Sequence, residues 1–184
     1  VAMGNNSLKA NTTGDENTAI GHSALTTNIT GSANVAVGSL SMEKNTAGTN
    51  NVAMGNNSLK ANTTGDENTA IGHSALTTNI TGSANVAVGA ASMEANTAGT
   101  NNVAMGNNSL KTNTTGDENT AIGHSALTLN ETGSQNVAVG TSSLAANTAG
   151  TNNVAMGNNS LTTNTTGVQN TAIGHSALTA NITG

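Results

Sequence analysis

The chain has 184 residues, enough for one or two globular domains, but it contains no Phe, Tyr, Trp, Pro or Cys and only 34% apolar residues. Aromatic and long aliphatic side chains normally supply most buried area, so a thick hydrophobic core is excluded, and the lack of Cys excludes disulfides and thiolate metal sites. A net charge of −5 with four Lys and no Arg excludes the basic surface that binds nucleic acid or anionic lipid.

The first feature along the chain is a phrase that occurs twice in residues 17–38, NTAIGHSALTTNITGSANVAVG: Asn, a β-branched residue, Ala, an aliphatic residue and Gly. The phrase recurs along the whole chain. Glycine falls every 17 residues in two series, which account for all 22 glycines. A second period of 51 residues is superposed, since residues 1–38 are identical to residues 52–89. We therefore interpret residues 1–184 as a single array of about eleven 17-residue repeats.

The phrase itself predicts a short strand, because β-branched residues stand between Asn and Gly. In a strand, Val35 and Val37 share one face and Ala36 takes the other. A helix is disfavoured by the glycines and by the many Asn and Thr residues. Seventeen residues suffice for one narrow coil of two short strands and two turns. Such coils bury their apolar face only by stacking about 4.8 Å apart, so the predicted fold is an all-β parallel β-solenoid, with one 17-residue coil per repeat.

We assign one face of each strand to the core and the other to an interface according to the size of the side chains. We predict that the long apolar side chains form the core, represented by Ile20, Leu25, Val35, Val37 and Met42. The Ala in the middle of the strand never changes, although a free solvated face would tolerate Ser, Lys or Thr. Packing against another copy in a two- or three-fold bundle explains this, and the predicted oligomer interface is Ala19, Ala36 and Ala53. The alternative is a tight coil with Ala inside and Val outside.

The turns are predicted from Gly and Asn. Both Gly series should take positive φ or allow close backbone approach; their first members are Gly4, Gly14, Gly21, Gly31, Gly38 and Gly48. Two Asn series should stack as amide ladders; they begin Asn11, Asn28, Asn45 and Asn17, Asn34, Asn51.

Several of these Asn residues also lie in Asn-X-Thr sequons and are therefore candidates for N-glycosylation. Examples are Asn11, Asn28, Asn62 and Asn79. The third repeat of each 51-residue block keeps the Asn but replaces the Thr with Ala. That break favours the ladder over the glycan.

Reactive chemistry has few candidates. The four His residues recur every 51 residues, about 14 Å apart along a stack, so one metal ion cannot bridge two of them within a chain. Three equivalent His residues on a symmetry axis could hold an ion, but solvated turn residues are the simpler interpretation. Asp15 and Glu16 are adjacent and point apart, which does not suit an acid/base pair. No nucleophile, phosphate-loop or metalloprotease motif occurs, so we predict no enzyme activity, no cofactor and no metal.

Three stretches, NTAIGHSAL, NVAVGSLSM and NVAMGNNSL, closely resemble the head repeats of trimeric autotransporter adhesins, and the longer unit is similar to repeats in fibre and tail-spike proteins of phages and large viruses. The resemblance covers all eleven repeats; the departure is the greater unit length. The resemblance implies a left-handed β-roll, a homotrimer, exposure at a cell or virion surface, and attachment to a host-surface protein or glycan. Because Val1 stands in mid-phrase, we expect a section of a longer fibre.

The predicted function is thus a non-enzymatic extracellular fibre or adhesin segment, which forms a rigid rod and displays surface for attachment. One alternative is a self-assembling filament or sheath, a homopolymer that binds no receptor. The other is an ice-binding solenoid with rows of Thr on a flat face, although Val, Ala or Ile interrupts those rows.

Overall fold

The computed structural model describes all 184 residues and contains short parallel strands and turns, with no helix. The strands are β1 (Ala2–Met3), β2 (Thr18–Ile20), β3 (Val35–Val37), β4 (Val52–Met54), β5 (Thr69–Ile71), β6 (Val86–Val88), β7 (Val103–Met105), β8 (Thr120–Ile122), β9 (Val137–Val139), β10 (Val154–Met156) and β11 (Thr171–Ile173). They form one eleven-stranded sheet in sequential order. No helix is present that could cross a membrane.

The register of the sheet confirms the 17-residue coil. Each strand residue pairs with the residue 17 places later, as Thr18 pairs with Val35 and Ala19 with Ala36. The same offset holds along the sheet to β11, so each repeat makes one rung of a parallel β-solenoid. Positions within a rung are numbered below from Asn17, position 1, to Ala33, position 17.

The prediction of two strands per coil was wrong, because each rung has one strand and the remainder is turn. Of the 120 backbone–backbone hydrogen bonds, 101 lie outside the strands, and most of those join neighbouring rungs. The reason lies in the backbone. Positions 7, 9 and 17 are left-handed in every rung, for example Ser23 at φ 55°, Leu25 at φ 50° and Ala33 at φ 55°. A residue in that region cannot continue a strand.

The core is a thin line of small and medium side chains along the rod axis. Ala19, Ala24 and Leu25 are all 0% exposed. Their equivalents in the following rungs complete a single cluster of 22 buried apolar residues, except that position 8 is a Ser in most rungs. Leu25 and Met42 therefore belong to the core as the sequence predicted.

The assignment of the two strand faces was wrong. Ala19, Ala36 and Ala53 are fully buried rather than at an interface with another copy. Ile20 is 37% exposed, and Val35 and Val37 are half-buried and face outward. The interior of a 17-residue coil must also hold the Leu or Met at position 9 and two Asn side chains, so across the strand there is space for a methyl group only. The constancy of Ala thus reflects a narrow interior, as the alternative arrangement had it.

Candidate functional site: the amide ladders and the outward strand face

The first amide ladder runs along position 1 and fixes the start of each strand. The Nδ2 of Asn34 donates to the Oδ1 of Asn17 at 3.1 Å and to the carbonyl oxygen of Gly48 at 2.8 Å. The backbone N–H of Asn34 also donates to the Oδ1 of Asn17, at 3.0 Å. Since Asn34 is 0% exposed, its amide is satisfied entirely within the protein, and each rung is locked to the one before it.

The second ladder runs along position 12 and repeats this arrangement. The Nδ2 of Asn45 donates to the Oδ1 of Asn28 at 2.7 Å and to the carbonyl oxygen of Gly48 at 2.9 Å. Gly48 therefore accepts hydrogen bonds from both ladders and joins them. Each of these hydrogen bonds contributes modestly to stability, but removing one partner leaves a buried polar group unpaired, which is costly.

The second ladder rules out the glycosylation hypothesis for the folded chain. Asn28, Asn62 and Asn79 are 0% exposed, and their side-chain amides lie inside the coil. Asn11, in the first rung, is partly exposed, but its Nδ2 donates to the carbonyl oxygen of Gly14 at 2.8 Å and its Oδ1 accepts from Asn28 at 2.7 Å. A glycan on any of these nitrogens would have to break the ladder.

The two glycine series are required for different reasons. Gly38 has φ 132°, and an added Cβ would lie 2.6 Å from the carbonyl oxygen of Gly55. Gly48 has no positive φ, but its Cβ would lie 2.4 Å from the Nδ2 of Asn62 and 2.5 Å from the Oδ1 of Asn45. The first series serves the corner after the strand, and the second leaves space for the ladder.

The outward side chains of the strands, at positions 2 and 4, form a surface that we call the strand face. Position 2 is always Val or Thr, and position 4 is always Ile, Val or Met, so no charge interrupts it. Ile20, Met54 and Met105 are 37%, 44% and 43% exposed. With a strand about 10 Å long and ten spacings of about 4.8 Å, the face covers about 480 Å². Apolar patches of about 300–600 Å² are the largest on ordinary monomers and are often functional.

The charged residues lie on the other sides of the rod and mainly link neighbouring rungs. Glu43 pairs with Lys60 at 3.8 Å, with both side chains partly exposed. The Oδ1 of Asp66 accepts hydrogen bonds from the backbone N–H of Thr49 at 2.7 Å and from its hydroxyl at 3.0 Å. A partly exposed ion pair such as Glu43–Lys60 contributes little to the stability of the fold.

The four His residues stand at position 6, just after the turn glycine, and all are exposed. The chain has no group of three or more His, Asp or Glu side chains arranged to hold a metal ion. An ion on a symmetry axis between copies stays a prediction. These residues are His22, His73, His124 and His175.

The stacked rungs, the amide ladders and the single continuous sheet define a β-solenoid repeat protein. Comparison with protein-family models, with curated proteins and with solved structures gave no match. The resemblance to adhesin head repeats therefore rests on the repeated phrases of the sequence.

Proposed function

We propose that this chain is a rigid section of a homotrimeric extracellular fibre whose role is attachment. The observation that carries the proposal is the strand face. It is free of charge and continuous along the rod, with Ile20, Met54 and Met105 about two-fifths exposed. Removing such a surface from water is favourable, and a fibre that leaves it open would aggregate through it.

Another copy of the chain suits this face better than an unrelated partner. The face presents the same two rows from one end to the other, so identical rods placed about a common axis bring like rows together at every rung. Homo-oligomers close by rotational symmetry, and three rods about one axis cover all three faces. The threefold choice and a left-handed coil come from the resemblance to adhesin repeats.

The variable residues outside the strands support a role in attachment. Positions 6, 10 and 11 vary between repeats, lie outside the strands and are exposed or half-buried. A rod of eleven rungs is about 50 Å long, and in a trimer each of these positions is displayed three times per rung. Weak contacts repeated in this way gain from multivalency.

The direct test is sedimentation equilibrium on the purified 184-residue chain. We expect a trimer. A monomer at all concentrations would overturn the trimeric fibre, and an open polymer would support the filament alternative instead.

Methionine oxidation tests whether the strand face is the surface that becomes covered. Met54, Met105 and Met156 lie on it and are 44%, 43% and 41% exposed in the single chain, whereas Met42 and Met93 are 0% exposed in the core. In the trimer, all five should resist peroxide, as read by peptide mass spectrometry. If the three outer Met residues oxidise fast while the chain sediments as a trimer, the interface lies elsewhere.

A matched pair of variants separates assembly from folding. Val88→Lys places a charge in the middle of the strand face, and we expect monomers with unchanged circular dichroism. Thr78→Lys adds the same charge at position 11, where Lys44 already stands two rungs earlier, and should leave the trimer intact. A trimeric Val88→Lys variant would contradict the proposed interface.

The ice-binding alternative depends on a row of free Thr hydroxyls, and position 14 supplies the most complete one. Thr64 and Thr81, at position 14, are exposed and donate no side-chain hydrogen bond. The adjacent row is turned to the backbone, as Thr63 donates to the carbonyl oxygen of Ile80 at 2.6 Å. In every third rung the Thr at position 14 is replaced by Ala, as at Ala98, so the row of free hydroxyls is interrupted. We therefore expect no thermal hysteresis from the purified array, and its detection would favour this alternative.

A further inference from the structure

The rod has one surface cavity, an open depression of about 400 Å³ near its C-terminal third. We call it the 128–163 depression. It spans three rungs at positions 10 and 11, and its main lining residues are Thr128, Leu129, Ala145, Ala146, Thr162 and Thr163.

The depression exists because one rung has short side chains at two adjacent outer positions. Ala145 and Ala146 make the only rung with Ala at both positions 10 and 11, and the rungs on either side carry Thr or Leu there. One block earlier, the equivalent rung has Glu94, which pairs with Lys111 at 3.5 Å. The repeat pattern is therefore broken here, and the break leaves a gap.

The lining of this gap is apolar although much of it is Thr. The hydroxyl of Thr128 donates to the carbonyl oxygen of Ser125 at 2.6 Å, and that of Thr162 donates to the carbonyl oxygen of Asn159 at 2.6 Å. These hydroxyls are turned to the backbone, so the methyl groups face the gap. Leu129 stands beside it, 48% exposed. An aliphatic group fits such a surface.

A free carboxylate lies two residues along the chain from the lining of this gap, although it is not part of the lining. Glu131 follows Leu129 by two residues, and the buried Asn130 lies between them. Leu129 and Glu131 are both exposed on the outside of the rung. The carboxylate of Glu131 makes no hydrogen bond or ion pair within the chain, since only its backbone oxygen is bonded. Position 13 is Thr or Ile in every other repeat.

No cation of the chain pairs with Glu131. Residues 112–184 contain three acidic side chains and no Lys or Arg. The nearest Lys in the sequence, Lys111, is already paired with Glu94 on the N-terminal side. The depression is thus apolar within, and an unbalanced carboxylate lies two residues along the chain from its lining.

We propose that the 128–163 depression is a docking site for a basic, aliphatic segment of a partner protein. An aliphatic side chain of the partner fills the gap over Ala145 and Ala146, and an adjacent Lys or Arg of the partner pairs with Glu131. The proposal rests on the attachment role proposed above and specifies its partner chemistry. The site itself lies on one chain, away from the strand face, so it does not need the trimer.

The test is a titration of the isotope-labelled full chain, followed by NMR of its methyl groups. The probes are two tripeptides, acetyl-Lys-Leu-Lys-amide and acetyl-Glu-Leu-Glu-amide. We expect the basic peptide to shift the methyl signals of Leu129, Ala145 and Ala146 saturably. It should bind about twofold to fivefold more tightly than the acidic one, which is the range for a single exposed ion pair. Equal binding of the two peptides, or no shift at these methyl groups, would overturn the proposal.

Variants that restore the residues of other repeats keep the fold and test each part of the site. Ala145→Thr with Ala146→Thr fills the gap with side chains that the neighbouring rungs already carry, and should weaken the basic peptide about fivefold or more. Glu131→Ile restores the residue of the preceding block and should remove the preference for the basic peptide. Glu67→Ala removes the same charge far from the depression and should change nothing.

The outcomes separate this proposal from the trimeric fibre. Unchanged affinity in the gap-filled variant, or a preserved charge preference in Glu131→Ile, would refute the docking site alone. A monomeric chain that still binds the basic peptide would refute the trimer alone.

Discussion

Replacing Asn79 with Asp is the sharpest test of the second amide ladder, because the two side chains have nearly the same shape. Asn79 is 0% exposed. Its Nδ2 donates to the Oδ1 of Asn62 at 2.8 Å and to the carbonyl oxygen of Gly82 at 2.7 Å, and its Oδ1 accepts from Asn96 at 2.7 Å. Asn79→Asp keeps the acceptor but turns both donated contacts into oxygen facing oxygen.

The size of the effect follows from the protonation of the new carboxyl. Burial among oxygen atoms raises its pKa far above the ordinary value, so at pH 7 the folded variant holds a proton that the unfolded chain would lose. Protonation about three pH units above the ordinary pKa costs about 4 kcal/mol. The neutral acid still lacks one of the two donors, which costs about 1–3 kcal/mol more. We expect a loss of about 5–7 kcal/mol at pH 7 and only about 1–3 kcal/mol near pH 4.

The sign of the pH dependence identifies the cause. A carboxyl whose pKa is raised on folding stabilises the folded state below its unfolded pKa, and this stability is lost as the pH rises toward the folded pKa. The variant should therefore recover stability on acidification relative to the parent. Asn79→Ala also breaks the ladder but carries no proton, so its loss relative to the parent should not change between pH 4 and pH 7.

The assay is urea unfolding followed by far-ultraviolet circular dichroism at one protein concentration, because the chain has no Trp or Tyr for fluorescence. Peptide-resolved hydrogen exchange over residues 62–96 then shows whether the lost stability lies at the altered rungs. Thr81→Ala, in the same Asn-X-Thr triplet, changes an exposed residue and should stay within about 0.5 kcal/mol. If Asn79→Asp is as stable as the parent at pH 7, or gains nothing at pH 4, the ladder is not what holds the rungs together.

Three further substitutions test other parts of the rung. Gly82→Ala places a Cβ 2.4 Å from the carbonyl oxygen of Gly99 and should cost about 3 kcal/mol in urea unfolding; a neutral result would mean that the rungs can separate locally. Ala84 has φ 55°, so Ala84→Asn should stabilise by about 0.5 kcal/mol, seen as a higher melting temperature, and a lower one would contradict the strain argument. Asp66→Val should cost about 1 kcal/mol, and a double-mutant cycle with Thr49→Val should find most of this as coupling between the two residues.

The sequence alone determined the parts of this protein that depend on repetition. A 17-residue period stacks identical residues, and identical Asn side chains at that spacing can satisfy one another, as Asn34 and Asn45 do. The glycine series were predictable for a similar reason, because backbone that approaches its own copy leaves no space for a Cβ. The coil, its register and the ladders therefore follow from the pattern.

Other features of the rung could not be predicted from the sequence. Leu25 and its equivalents take a left-handed backbone conformation at φ near 50°, which Leu rarely does, and nothing in the composition marks it. Hydrogen bonds from every neighbouring rung offset that strain, and only the assembled stack supplies them. The 128–163 depression was also hidden, because it arises from side chains on three rungs that lie 17 residues apart.

The inside and outside of the strand were decided by the tertiary structure alone. Alternation divides Val35, Ala36 and Val37 into two faces but does not say which one is buried. Hydrophobicity favours Val inside, yet the interior must also hold a Leu or Met and two Asn side chains in every rung. Space therefore overrides hydrophobicity: Ala is buried because it is small, and the Val, Ile and Met side chains are left on an outer face.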